Sequence, residues 1–160
     1  MNSDEILQLA EQQRTERKDA KRWLKRVYYQ TLRVEAEERA LRVIEGRVNN
    51  AVGKMETDGS GVDRDQSNKR REDALIDYVQ KKADLEAETL KLAKLKHDTR
   101  QVLGLISDER LRVIAERRYI DCLDWRDVEK VEAYCHSHMM RLHVDILNSV
   151  AAILKREEAI

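Results

Sequence analysis

DWRDVEKVEAYCHSHMMRLHVDIL, residues 124–147, is the stretch on which the fold of this chain turns. Asp124 stands where an N-cap accepts the free amides of a helix opening at Trp125, and Asp127 falls at its third position, beside the positive end of the helix dipole. Val128 and Val131, three apart, predict that helix's inner face. Ala133-Tyr134-Cys135 then reads as a tight turn. It contains no glycine, so its backbone either avoids the left-handed region or holds some strain. Beyond it Met139, Leu142, Ile146, Leu147, Val150 and Leu154 recur at helical spacing as one apolar stripe of a longer helix. Upstream, Ser107-Asp108-Glu109 reads as an N-cap followed by acids in a first turn. Leu111, Ile114, Ala115, Arg118 and Tyr119 continue at helical spacing, and residues 121–124 form a connector. Helix, short helix, tight turn and longer helix is the order of a helix-turn-helix, predicted to occupy 106–160.

Composition extends the helical reading to the rest of the chain. Among 160 residues 39% are charged and 4% aromatic, with no Phe and no Pro. Large core-filling side chains are scarce, and little interrupts a helix. A heptad runs through Ala20, Leu24, Val27, Thr31, Val34, Glu38, Leu41, Glu45, Val48, Val52 and Met55, predicting one long helix with two acidic gaps in its seam. Residues 56–68 gather Gly, Ser, Asp and Asn and read as a flexible loop. The period then resumes at Leu75, Tyr78, Lys82, Leu85, Thr89, Leu92, Lys96, Thr99, Leu103 and Ile106, with Gly104 as a stop. Two amphipathic helices joined by one loop bury their stripes by folding back, giving arms of roughly 50–65 Å at 1.5 Å per residue. The expected architecture is therefore all-α: a long antiparallel, coiled-coil-like helical hairpin over 1–105 and a helix-turn-helix over 106–160. Apolar positions that the hairpin leaves uncovered predict a homo-oligomer through the hairpin.

Net charge is zero, 31 basic against 31 acidic residues, so bulk charge does not point to nucleic acid. The distribution is uneven. Between Arg14 and Arg33 eight basic residues stand against Glu16 and Asp19, a net of +6, which reads either as a solvated helix face or as a contact for phosphates or an acidic protein. Two cysteines are too few for a disulfide framework. The first residues lack an apolar signal core, and the apolar run from Val150 to Leu154 is far below the ~20 residues that span a bilayer. A cytoplasmic protein with no membrane contact is expected. Cys135, His136, His138 and His143 cluster in sequence, but their helical positions diverge and no second Cys/His pair stands at zinc spacing, so no metal and no cofactor are expected. Without a glycine-rich phosphate loop, a nucleophile elbow or carboxylates paired beside a histidine, the chain shows no catalytic chemistry and reads as non-enzymatic.

Arg118-Tyr119-Ile120, Trp125 with Val128, Tyr134, Met139, Arg141-Leu142-His143 and Leu147 together resemble region four of bacterial sigma factors and its phage relatives. The whole chain is similar to small phage proteins with a coiled-coil hairpin, a polar loop followed by an Asp73-Ala74-Leu75 type of helix start, and a sigma-like tail. These are grouped with the ArpU and RinA type of late-gene transcriptional regulators. This chain departs from the pattern at Glu129 and Glu132, where the pattern carries Ala and an apolar residue, and at Ala133, where it carries Gly or Asn. The resemblance implies a phage or prophage transcription regulator that binds double-stranded DNA, with RNA polymerase as a further partner, in the host bacterial cytoplasm. His136, Ser137, His138, Met140 and Arg141 would face the major groove, Arg141 foremost because a guanidinium can be bidentate to guanine. Arg126 and Lys130 would hold backbone phosphates. Histidines His136, His138 and His143 against phosphates would make binding tighten from about pH 8 to about pH 6. Two other readings compete: a small-terminase-like packaging protein, and an interaction scaffold whose helix-turn-helix has lost DNA binding. Residues 106–160 hold nine basic and eleven acidic side chains, a net of −2.

Overall fold

The computed structural model describes residues 2–57 and 64–158, and these form six helices: α1 Ser3–Leu24, α2 Arg26–Thr57, α3 Arg64–Gly104, α4 Glu109–Tyr119, α5 Trp125–Glu132 and α6 His136–Glu158. Of the loop expected over 56–68, residues 56–57 and 64–68 are helical and 58–63 lie outside the described residues, as do the side chains of Val52 and Met55. The chain divides into two compact units. One comprises Met1–Tyr29 with Ala93–Ile160, the other Gln30–Leu92. This division differs from a boundary at 105/106, because the first helix is part of the C-terminal core.

In the unit of residues 30–92, α2 and α3 run antiparallel. Gln30 Nε2 donates to the Glu88 carbonyl (3.0 Å) and to its carboxylate (2.6 Å). Lys81 Nζ lies 2.6 Å from Glu37, and Tyr78 Oη donates to Glu45 Oε1 at 3.4 Å. The seam on α3 therefore uses Ala74, Lys81 and Glu88, not Leu75, Lys82 and Thr89. On α2, Gln30 and Glu37 turn inward while Glu38 stays exposed. A polar residue inside a helix pair needs a partner of matching chemistry, and these cross-seam pairs set the register. Among the described residues of this unit only Gln30 and Val34 are buried, so the layer is thin.

In the other unit α1 starts from a capping box. The Asn2 side chain accepts from Ser3 N, and Asn2 N donates to Glu5. The expected continuous helix is interrupted at Lys25. There Arg26 Nε donates to the Trp23 carbonyl (3.0 Å), and its guanidinium lies 4.3 Å from the centre of the Trp23 ring. Ala20 and Leu24 of α1 are buried in one cluster with Val102 and Leu103 of α3, Ile114 and Tyr119 of α4, Val128 of α5, and Met139, Ile146 and Val150 of α6. Lys155 of α6 reaches Glu16 at 2.9 Å. Helix α1 lies along α6 because three helices alone leave part of the stripe from Ile146 to Leu154 uncovered.

Caps and turns place α4 to α6. The cap of α4 is Asp108 rather than Ser107, its Oδ1 accepting from Arg110 N (2.9 Å) and Leu111 N (3.4 Å). Asp124 occupies the N-cap of α5, but its side chain makes no capping bond and its carbonyl accepts from Asp127 and Val128. Val128 is buried as expected, whereas Val131 is exposed. After Glu132 the chain turns through Ala133 at φ 55°, ψ 38°, a left-handed alanine. An L-residue there costs about 1–2 kcal/mol relative to its right-handed form. Ala133→Gly is expected to raise the unfolding free energy by up to about 1 kcal/mol, the relief being partly offset by glycine's freedom in the unfolded chain. Urea titration of both proteins measures it, and a less stable glycine variant would mean that no strain resides in this turn.

Candidate nucleic-acid interface

The start of α6 is held by two sets of contacts, one part-buried and one buried. Arg118, near the end of α4, donates through Nη1 to the Leu123 carbonyl (2.7 Å) and lies 5.3 Å from the centre of the Trp125 ring. It thereby holds the connector in which Cys122 adopts φ 58°. Tyr119, next in sequence, shares a 2.7 Å hydrogen bond between its Oη and His143 Nε2, and Trp125 packs on the same imidazole with ring centres 4.6 Å apart. The arginine-tyrosine pair and the tryptophan thus anchor α6 from beneath. His143 belongs to this core and not to the exposed face. Burial, followed by the nearby charges of Lys21 and Arg118, pushes its pKa from 6.5 down to about 4. Burial likewise raises the Tyr119 phenol to about 12, with Arg118 opposing. The expected set of three phosphate-facing histidines therefore loses one member.

The other sequence candidates separate into open and engaged groups. Arg126, Ser137 and Arg141 are exposed. Lys130 is exposed and pairs with Asp127 at 3.5 Å. His136 is exposed, but its Nδ1 lies 2.6 Å from Glu129 Oε1. His138 is half-buried edge-on to Tyr134, with centroids 4.8 Å apart. Met140 is half-buried and packs against the core rather than standing fully exposed. Its spacing one residue from Met139 could not reveal this, since both residues are apolar and the stripe is wide.

Glu129 and Glu132 are accommodated by pairing. The Glu129 carboxylate, its side chain 17% exposed, meets His136 across the turn. Glu132 lies 3.0 Å from Arg117 Nε, joining the end of α5 to α4. Neither interaction was legible in the sequence, because both partners lie on other helices. Ser137 and Arg141, one turn apart near the start of α6, are exposed, as is Arg126 at the start of α5, and the first-turn amides of α6 have no partner within their own helix. Among the described residues no group of His, Cys, Asp and Glu is placed to hold a metal ion, Cys122 and Cys135 form no disulfide, and no helix is long and apolar enough to cross a membrane. The chain matches no protein-family model, no curated protein and no solved structure.

Proposed function

We propose that this chain is a non-enzymatic, DNA-binding transcription regulator of phage or prophage type, acting in the bacterial cytoplasm through α5 and α6. The observation that carries the reading is the exposure of Arg126, at the start of α5, and of Ser137 and Arg141, one turn apart near the start of α6, a longer helix that follows a short helix and a tight turn. In this arrangement the N-terminal turns of α6 enter the major groove and Arg126 stands over the backbone. Pairing of Glu132 with Arg117 supports it, since a free carboxylate at the entry to α6 would repel phosphates. The sigma-like residues Arg118, Tyr119 and Trp125 contribute by anchoring α6 from within.

The test is retention of host and phage genome fragments by the full chain at low salt, followed by anisotropy titration of a recovered site. Arg141→Ala is expected to keep its helicity and weaken that site by about 1–3 kcal/mol, the value of one base-reading guanidinium. Failure to retain any fragment would remove the DNA-binding reading. Equal affinity of parent and variant would remove Arg141 from it.

A further inference from the structure

We propose that the outward face of α3 between Ile76 and Leu90 binds a second copy of this chain, with the two α3 helices antiparallel about a two-fold axis at Ala83. Ile76, Val79, Ala83, Ala87 and Leu90 follow one another in steps of three or four and form one stripe on the helix. All five are exposed: Ile76 and Val79 by 65% and Leu90 by 73%. The stripe lies opposite the face through which Tyr78, Lys81 and Glu88 meet α2, so the hairpin cannot cover it itself. The unit that carries it buries only Gln30 and Val34 among its described residues. A helix pair that thin gains most of its missing burial by packing against another.

The pattern of the stripe selects the occupant. Ile76 and Leu90 are equidistant from Ala83, and so are Val79 and Ala87. Reversing the helix about Ala83 therefore sets Ile76 on Leu90 of the second copy, Val79 on Ala87, and Ala83 on itself, where its small side chain permits close approach. Charges on both flanks obey the same symmetry. Reversal lays Lys91 of the second copy beside Asp73 and Asp77, and Lys82 beside Glu86. Lys91 already touches Glu88 at 2.6 Å yet keeps 62% of its side chain exposed, so it can serve both carboxylates. Asp84, on the same flank, is engaged by Gln80. A surface that complements itself on reversal fits an identical chain, and the inference stands independently of any DNA binding.

Sedimentation equilibrium on the full chain is expected to give a dimer. Leu90→Glu is expected to weaken it by roughly a hundredfold, because each substitution acts on both copies. Unchanged circular dichroism would confirm that the exposed site can be altered without unfolding. Lys91→Glu is expected to weaken the dimer, and adding Asp73→Lys and Asp77→Lys to restore it. With Cys122 and Cys135 replaced by Ser, Ala83→Cys is expected to oxidise to a linked dimer. Val79→Cys alone is not, since its own copy lies about 12 Å away along the axis in the antiparallel pair. A monomer at every concentration, a dimer indifferent to Leu90→Glu, or Val79→Cys linking as readily as Ala83→Cys would each overturn the proposal.

Discussion

Leu24→Ala is expected to lower the stability of the unit containing α4, α5 and α6 by about 2–5 kcal/mol, although Leu24 lies more than eighty residues from α4 in sequence. Leu24 is 0% exposed and shares its cluster with Leu103, Ile146 and Val150. Truncation removes transfer free energy and leaves a cavity among side chains held by other helices, which cannot all collapse into it. Urea unfolding followed by tryptophan fluorescence reports the loss directly, since Trp125 packs against this core. Leu32→Ala supplies the contrast: Leu32 is exposed, and its truncation is expected to cost less than about 1 kcal/mol. Equal, small effects of the two substitutions would mean that α1 is not part of the C-terminal core.

Acid is expected to destabilise the same unit through His143. Its pKa is 6.5 when exposed and about 4 in the folded protein, so between these values the unfolded chain binds the proton and the folded chain does not. Stability is then complete above about pH 6.5 and declines as pH falls to about 4, by about 3 kcal/mol for a shift of that size at 1.36 kcal/mol per pH unit. Protonation would put a cation between the Tyr119 phenol and the Trp125 ring, with Lys21 of α1 and Arg118 of α4 opposing it. Comparing the parent with His143→Gln from about pH 7 to about pH 4 isolates this contribution, because the other titrating groups are common to both. The stability difference between them is expected to shrink as pH falls. A difference that stays constant across that range would show His143 to titrate alike in both states.

Helical content, the succession of helix, short helix, turn and longer helix, and the start of α5 at Trp125 were legible in the sequence, because each rests on local physics, whereas the break at Lys25 and the Asp108 cap were not. Proline is absent, apolar residues recur at helical spacing, and Gly104 and the Asp108 and Asp124 regions punctuate the chain. Exposure of Arg126, Ser137 and Arg141 was legible for the same reason: they fall off the apolar stripe. Periodicity, however, names a face and never its partner. Ala20 and Leu24 fit a heptad continuing into α2 as well as they fit α6, and only packing chose α6. The α3 seam could not be read from hydropathy, since Lys81 and Lys82 are identical and Glu88 and Thr89 are both polar. Glu37 and Gln30 on the opposite helix decided it. His143 illustrates the limit most clearly. In sequence it follows Arg141-Leu142 on a helix predicted to face DNA, while its place in the core depends on a phenol 24 residues earlier and a ring 18 residues earlier. Spacing along one helix carries no information about groups on others, so local structure was determined by the sequence alone, and the partner of each face was decided by the tertiary fold.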